Sequence, residues 1–238
     1  MQVDLEELDC AADRLHEVFG DARCVLFDFD GPICRLFAME SSRPVADTLR
    51  ELLKESYADL YGELSVAELT DKDPHVVLRA VQRERPGSPV VAELAAAVAR
   101  GEAAAASNAP LTEGFDGLAQ RLTERGLSLS VVTNNAAEVA YDFLRMHGLA
   151  HYFKGNVHGR PADPDLMKPH PFILEQALKG LRCRAAEAVM VGDTNTDVAA
   201  ARAAGVRFVG YGRNERKETA LRAAGASLVL NSYGGLLG

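Results

Sequence analysis

The sequence predicts an α/β fold, a doubly wound parallel sheet with a block of helices inserted after its first strand. Three observations predict it. Short apolar runs alternate with amphipathic stretches from about residue 110 to residue 230. One more apolar run, Cys24 to Phe27, stands alone before a long segment without a convincing strand. The chain is also long enough, at 238 residues of which 47% are hydrophobic, to bury a core of this kind.

Taken in order, Leu5, Leu8, Ala12, Leu15 and Phe19 recur at spacings of three and four, which predicts an amphipathic helix over 4–19. The run CVLF at 24–27 is too short for a helix and reads as a buried strand. Val45, Leu49, Leu52 and Leu53 mark a helix, and Ser65-Val66-Ala67-Glu68 has the form of a capping box. Asp73-Pro74 and Ser88-Pro89 each set an N-cap residue before a proline at the first helical position. Val91, Leu94 and Val98 carry the helical spacing into an alanine-rich stretch near 95–106. After Pro110 the expected order is helix 114–125, strand 127–133, helix 136–147, a short strand within 153–158, helix 170–180 and strand 188–191. Helix 194–204, strand 206–210, helix 214–224 and strand 227–230 complete it. The expected organisation is a core of 1–36 and 110–238, with 37–109 as a helical insertion.

Charge narrows the function classes. Lys plus Arg is 26 against 34 Asp plus Glu, a net charge of −8. An acidic chain without a basic cluster disfavours nucleic acid and anionic membrane surfaces as partners. No run reaches the 18 apolar residues of a membrane span, and the first residues lack the basic start of a secretory signal. Cys10, Cys24, Cys34 and Cys183 show neither paired nor metal-type spacing, so a reduced, cytoplasmic setting is expected.

In open α/β sheets ligands bind beyond the carboxyl ends of the strands, so the strand tips are the places to look. The first strand ends in Asp28-Phe29-Asp30-Gly31. Carboxylates two residues apart on an extended chain share a side, which is costly without a cation or proton between them. Gly31 allows a tight exit and offers backbone N–H groups to a ligand. The second tip, Thr133-Asn134-Asn135, places a hydroxyl and amides before a helix, a ready anion site. Lys168 sits in Met167-Lys168-Pro169-His170-Pro171, ahead of another helix. The fourth tip, Gly192-Asp193-Thr194-Asn195-Thr196-Asp197, brings two more acids to the same edge. Each tip alone reads equally well as an acidic turn, an N-cap or a solvated lysine. Together they combine hard oxygen donors suited to Mg²⁺ with a lysine and amides suited to a phosphoryl group. Arg35, Arg43 and Arg160 read as surface arginines, His170 as a helix-start residue, and the other histidines show no ligand spacing.

FDFDG at 27–31, VVTNN at 131–135, MKPHP at 167–171 and GDTNTD at 192–197 resemble the four ordered motifs of the haloacid dehalogenase superfamily. The resemblance runs from about residue 23 to 230. The inserted block resembles the cap of members whose cap follows the first motif, as in phosphoglycolate-phosphatase-like hydrolases. The resemblance implies a Rossmann-like core and a Mg²⁺-dependent phosphatase acting on a small phosphate ester, with Asp28 as nucleophile forming an aspartyl-phosphate. It implies Asp30 as general acid and then base. Asp30, Gly31, Thr133, the Asn134 amide and Lys168 would hold phosphate, with Lys168 also neutralising charge beside Asp28. Asp28, the Asp30 carbonyl and Asp193 would bind Mg²⁺, with Asp197 a ligand directly or through water. A phosphomutase, or a non-catalytic protein that binds a phosphate ligand, would carry the same motifs. Members that attack carbon lack the second acid, because a halide leaves without a proton, so Asp30 favours phosphate chemistry. Pro32 and Cys34-Arg35 depart from the usual continuation, and Pro32 removes one backbone donor from the loop. Nothing in the chain names the substrate or the oligomeric state.

Overall fold

The structure, a computed structural model, describes residues 14–37 and 42–237. Residues 4–13 of the expected first helix lie outside them. Residues 14–19 are helical, with Leu15, Val18 and Phe19 buried as their spacing requires.

Among the described residues six strands form one sheet: β1 (Cys24–Phe27), β2 (Ser128–Val132), β3 (Val157–His158), β4 (Ala188–Gly192), β5 (Arg207–Tyr211) and β6 (Val229–Leu230). Their spatial order is β3-β2-β1-β4-β5-β6 and every pairing is parallel. This is the doubly wound order. β1 is flanked by β2 and β4, with Phe27 level with Val131 on one side and Val191 on the other. The tips that follow these three strands are therefore neighbours, which is what positions the site.

Strand alternation builds two apolar layers. Val25 and Phe27 of β1, with Val189 and Val191 of β4, face one layer, where Phe115, Phe143 and Tyr233 are fully buried. Cys24 and Leu26, with Ala188 and Met190, face the other, against Ile173, Leu174 and Ala200. The rings of Phe27 and Phe115 meet edge to face with centroids 5.1 Å apart. A sheet covered on both sides needs strands apolar throughout, which is why CVLF and AVMVG carry no polar alternation.

Between β1 and β2 lie α1 (Arg43–Ser56), α2 (Ala58–Glu63), α3 (Val66–Thr70), α4 (Pro74–Glu84) and α5 (Pro89–Ala106). These helices bury a cluster of their own, including Leu49, Leu53, Val77, Leu78, Leu94 and Val98. Met167, from the segment carrying Lys168, joins that cluster and ties the helical block to the sheet. The capping box forms as expected: Ser65 Oγ accepts from Glu68 N–H at 3.3 Å and the Glu68 carboxylate accepts from Ser65 N–H at 2.8 Å. Asp73 caps α4 through its side chain, whereas Ser88 makes no side-chain cap and α5 begins simply at Pro89.

Then follow α6 (Phe115–Glu124), α7 (Ala137–Met146), α8 (Ala150–Phe153), α9 (Phe172–Leu181), α10 (Asn195–Ala204) and α11 (Glu215–Ala223). Two expectations change. The strand expected within 153–158 shrinks to Val157–His158, because Phe153 ends α8 and anchors it to the buried aromatic layer. Cys24 and Cys183, 159 residues apart, form a disulfide. Linear spacing could not reveal it: β1 pairs with β4, and Cys183 follows α9, which packs on the face that Cys24 occupies. Cys34 is a free, buried thiol.

Replacing Phe115, which contacts Phe27, Phe153 and Tyr233, by alanine opens a void under the centre of the sheet. Chemical denaturation of Phe115→Ala is expected to show a loss of about 3–5 kcal/mol.

Candidate active site

The β1 tip carries Asp28, 7% exposed, whose N–H completes the pairing to Val191 at 2.9 Å before its side chain leaves the sheet. Asp30 follows in a loop closed on itself: Ile33 and Cys34 N–H both donate to Phe29 O, and Leu36 N–H donates to Asp30 Oδ1 at 2.9 Å. Pro32 lies within this loop, where its missing N–H leaves no ladder bond unmade. Thr112 Oγ1 holds Gly31 O at 2.8 Å and Tyr233 OH holds Pro32 O at 3.0 Å. Gly31 has φ of +121°, and an added Cβ would stand 2.4 Å from Asp193 Cγ, so only glycine allows the two tips to approach. The Gly31 N–H is committed to Cys34 O at 2.7 Å.

The β4 tip folds back on itself. Asp197, on the first turn of α10 and fully buried, accepts at Oδ2 from Asp193 N–H, Thr194 N–H and Thr194 Oγ1 at 3.1, 3.0 and 2.7 Å. Gly192 makes room for this: a Cβ there would meet Asp197 Cβ at 2.6 Å. One carboxylate oxygen from each of Asp28, Asp193 and Asp197 lies within 4.8 Å of the other two. Three hard, buried oxygen donors in that volume fit a divalent cation. The Asp30 side chain is not part of this group.

Lys168 enters the group from the other side of β1. Its Nζ donates to Asp28 Oδ1 at 2.8 Å, Asp197 Oδ1 at 2.6 Å and Val132 O at 3.0 Å. Its backbone is pinned as well. Lys168 N–H donates to Asn134 Oδ1 at 2.8 Å, while Asn134 Nδ2 and Arg79 of α4 donate to Lys168 O at 3.1 and 2.5 Å. At the β2 tip Thr133 is fully buried and its Oγ1 lies 2.9 Å from Asn135 Oδ1. His170 Nδ1 accepts from Phe172 N–H at 3.2 Å, at the start of α9.

Asp28, Asp30, Thr133, Asn134, Lys168, Asp193 and Asp197 therefore line one cleft of about 490 Å³, whereas Gly31 packs against Asp193 and is not part of its lining. A larger cavity of about 700 Å³ beside it, against Phe37, Val45, Ala97 and Gly101, holds none of the carboxylates. Chemistry, not size, picks the cleft.

Sequence reasoning missed three residues here, Lys217, Glu102 and His75, and gave Asn135 no role beyond its place in the tip. Lys217 of α11 donates to Asp193 Oδ2, and its position on a polar helix gives no local signal. Glu102 of α5, His75 of α4 and Asn135 line the same cleft. Glu102 did leave a signal: it occupies the position four after Val98 and four before Ala106, on the buried stripe of its helix. Arg160, expected at the surface, has a side chain only 5% exposed, because it pairs with Glu102 at 2.9 Å.

Burial dominates the electrostatics. It pushes the Asp28 carboxyl up to about 7, Asp197 adding to the rise and Lys168 opposing it. Burial likewise raises Asp30 to about 6, against the Leu36 amide that favours its anion. Asp193 also rises to about 6 through burial, with Lys217 opposing. Burial works against the Lys168 ammonium, yet Asp197 and Asp28 outweigh it and hold the lysine charged well above its ordinary range.

The family model for haloacid dehalogenase-like hydrolases matches residues 25–211. The chain belongs to the haloacid dehalogenase-like hydrolase family. Members similar to it include the pyrophosphatase PpaX of Halalkalibacterium halodurans, 27% identical over 216 residues, which cover 90% of this chain and 94% of that protein. A phosphoglycolate phosphatase of Vibrio parahaemolyticus is 35% identical over 97 residues, 40% of this chain and 42% of that one. CbbY of Rhodobacter sphaeroides, crystallised with xylulose 1,5-bisphosphate, shares the fold with a TM-score of 0.61. It is 20% identical, the match covering 89% of this chain and 95% of that one. As a member of this family the chain is an enzyme, a hydrolase. No helix among the described residues is long and apolar enough to cross a membrane.

The raised carboxyls set a pH dependence. With folded values of about 7, 6 and 6, Asp28, Asp30 and Asp193 keep protons that the unfolded chain has released. The folded state then binds more protons than the unfolded one, so cation-free stability falls as pH rises from about 4 to about 7. A divalent cation replaces those protons. Its addition is expected to raise the melting temperature by more near pH 8 than near pH 5, read by thermal denaturation with and without a chelator.

Proposed function

We propose that the chain is a Mg²⁺-dependent phosphoric monoester hydrolase that acts on a small phosphorylated metabolite through an aspartyl-phosphate on Asp28. The observation that carries this reading is the convergence of Asp28, Asp193 and Asp197 within 4.8 Å, with Lys168 Nζ set between Asp28 and Asp197. The names of the relatives, a pyrophosphatase and phosphoglycolate phosphatases, support a phosphate-bearing substrate.

Asp28 and Asp193, with the backbone carbonyl of Asp30, would hold the cation. The Asp197 oxygens are engaged by Lys168 and by the 193–194 amides, which favours a supporting role through those partners or through water. When bound, Mg²⁺ supplies the positive charge that lets a phosphate approach a cluster of carboxylates.

Asp28 attacks phosphorus, the ester oxygen leaves, and Asp30 gives that oxygen its proton. A carboxyl titrating near 6 is partly protonated at neutral pH, as a general acid needs. Lys168 favours the Asp28 anion against burial and faces the charge that gathers on the transferring group. The Asn134 amide holds a phosphoryl oxygen at the start of α7, and the Thr133 hydroxyl, which donates to Asn135 Oδ1 at 2.9 Å in the structure, would turn its proton to another. Asp30, now a carboxylate, takes a proton from water as that water attacks the aspartyl-phosphate. Inorganic phosphate leaves and the Asp28 carboxylate is restored.

In this reading 1–36 and 110–238 are the catalytic core and 37–109 is a cap. Arg79 and Gln82 of α4 reach the Lys168 loop, at Lys168 O and at Asp163, which supports a cap closing over the cleft. Such closure favours small substrates over phosphoproteins. The small number of cysteines supports a cytoplasmic setting, and the Cys24–Cys183 bond is the one feature that weighs against it.

Hydrolysis of p-nitrophenyl phosphate is expected to require Mg²⁺ and to fall by at least about 1,000-fold in Asp28→Asn. An active Asp28→Asn protein, or activity indifferent to a chelator, would sink the reading. Asp30→Asn is expected to slow alkyl phosphates by about 100- to 10,000-fold and p-nitrophenyl phosphate by less, since that leaving group needs little protonation. Equal losses on both would remove Asp30 from the role of acid.

A further inference from the structure

Glu102 is 1% exposed on the inner stripe of α5, where a carboxylate is costly unless its lone pairs are met. They are. Oε1 accepts from Asn135 Nδ2 at 3.0 Å and from Arg160 at 2.9 Å. Oε2 accepts from Ala136 N–H at 2.9 Å and from Arg160 at 3.3 Å. His75 Nε2 stands 3.5 Å from Oε1. The Asn135, Ala136 and Arg160 donors all belong to the β2 tip or to the segment beside it.

The direction of these bonds is informative. A carboxylate only accepts, so Asn135 must turn its NH₂ group to Glu102. That leaves Asn135 Oδ1 facing the Thr133 hydroxyl at 2.9 Å, while Asn135 N–H donates to Thr133 Oγ1 at 3.1 Å. Glu102 therefore orients the amide, and the amide orients the hydroxyl. Arg160 provides a second hold, donating from its side chain to Asn134 O at 3.2 Å and from its N–H to Asn135 O at 2.7 Å. With Ala136 N–H engaged by Glu102, the start of α7 is capped from another part of the chain.

We propose that Glu102 is a positioning residue for the phosphate-gripping turn 133–135, acting through Asn135 and Arg160, so that the helical block itself holds that turn in its working shape. The inference rests on the phosphatase reading, because it needs Thr133 and Asn134 to hold the transferring group.

Glu102→Gln keeps the size but sets an NH₂ group against donors that need an acceptor. In Mg²⁺, kcat/KM for p-nitrophenyl phosphate is expected to fall about 10- to 100-fold. The dissociation constant of inorganic phosphate, measured by calorimetric titration, is expected to rise about tenfold. Either quantity staying within about twofold of the unsubstituted protein, whatever happens to the melting temperature, overturns the proposal, since a merely structural role moves stability alone. Should Glu102→Gln fail to fold, Asn135→Ala cuts the link to Thr133 while leaving the Glu102–Arg160 pair intact. It is expected to reproduce both losses, and the same twofold criterion applies. If both single variants fold, the double variant is expected to lose little more than either one, and additive losses overturn the proposal. Phosphate titration is repeated in Asp28→Asn, which has no turnover. A failed phosphatase reading would show in the unsubstituted enzyme's turnover, whereas a failed role for Glu102 would show in the phosphate affinities.

Discussion

Everything around the cleft depends on the balance of charge at Lys168. Asp28, Asp193 and Asp197 bring three negative charges into a space that water scarcely reaches, and one ammonium stands among them. Two negative charges remain, and Lys217 at the rim answers one of them in part. An arrangement of this kind is expensive to fold without a cation or retained protons, and the raised carboxyls are the form that expense takes. The local backbone follows from this constraint. Gly192 lets Asp197 fold back, Gly31 lets the first tip approach Asp193, and Asn134 grips the lysine's peptide at both its N–H and its C=O.

The helical block contributes to this centre through polar groups as well as through packing. Arg79 holds the carbonyl of Lys168, and Glu102 holds the turn after β2. His75, beside Glu102, is half-buried. Burial pulls its proton affinity down, but Asp73 and Glu102 more than compensate and raise it. Removing one member of this set costs more than breaking a surface ion pair, because its partners are left desolvated and unpaired.

The sheet and its tips could be read from the chain because their signals are local. CVLF and AVMVG are apolar without interruption, SLSVV is apolar apart from Ser128 and Ser130, and each is followed at once by the residues that face the cleft. Caps were equally legible at Ser65 and Asp73. What escaped depends on partners far apart in sequence. Arg160 looks like any exposed arginine until α5 brings Glu102 against it, 58 residues away in the chain. Lys217 meets Asp193 only because β5 pairs beside β4 and α11 follows it. The Gly31 amide looked available to a ligand, yet the turn through Pro32 commits it to Cys34. Hydrophobic periodicity reports which face of an element is buried, and it is silent on which charge will be found there.

The tie between Tyr233 and Pro32 has a consequence for how the protein comes into being. The loop bearing Asp30 is synthesised directly after β1, but the phenol that holds it is buried against Tyr211 and arrives some 200 residues later. Until residue 233 has emerged and packed, the loop is without that restraint. The loop that carries Asp30 thus takes its final restraint from a residue made long after it.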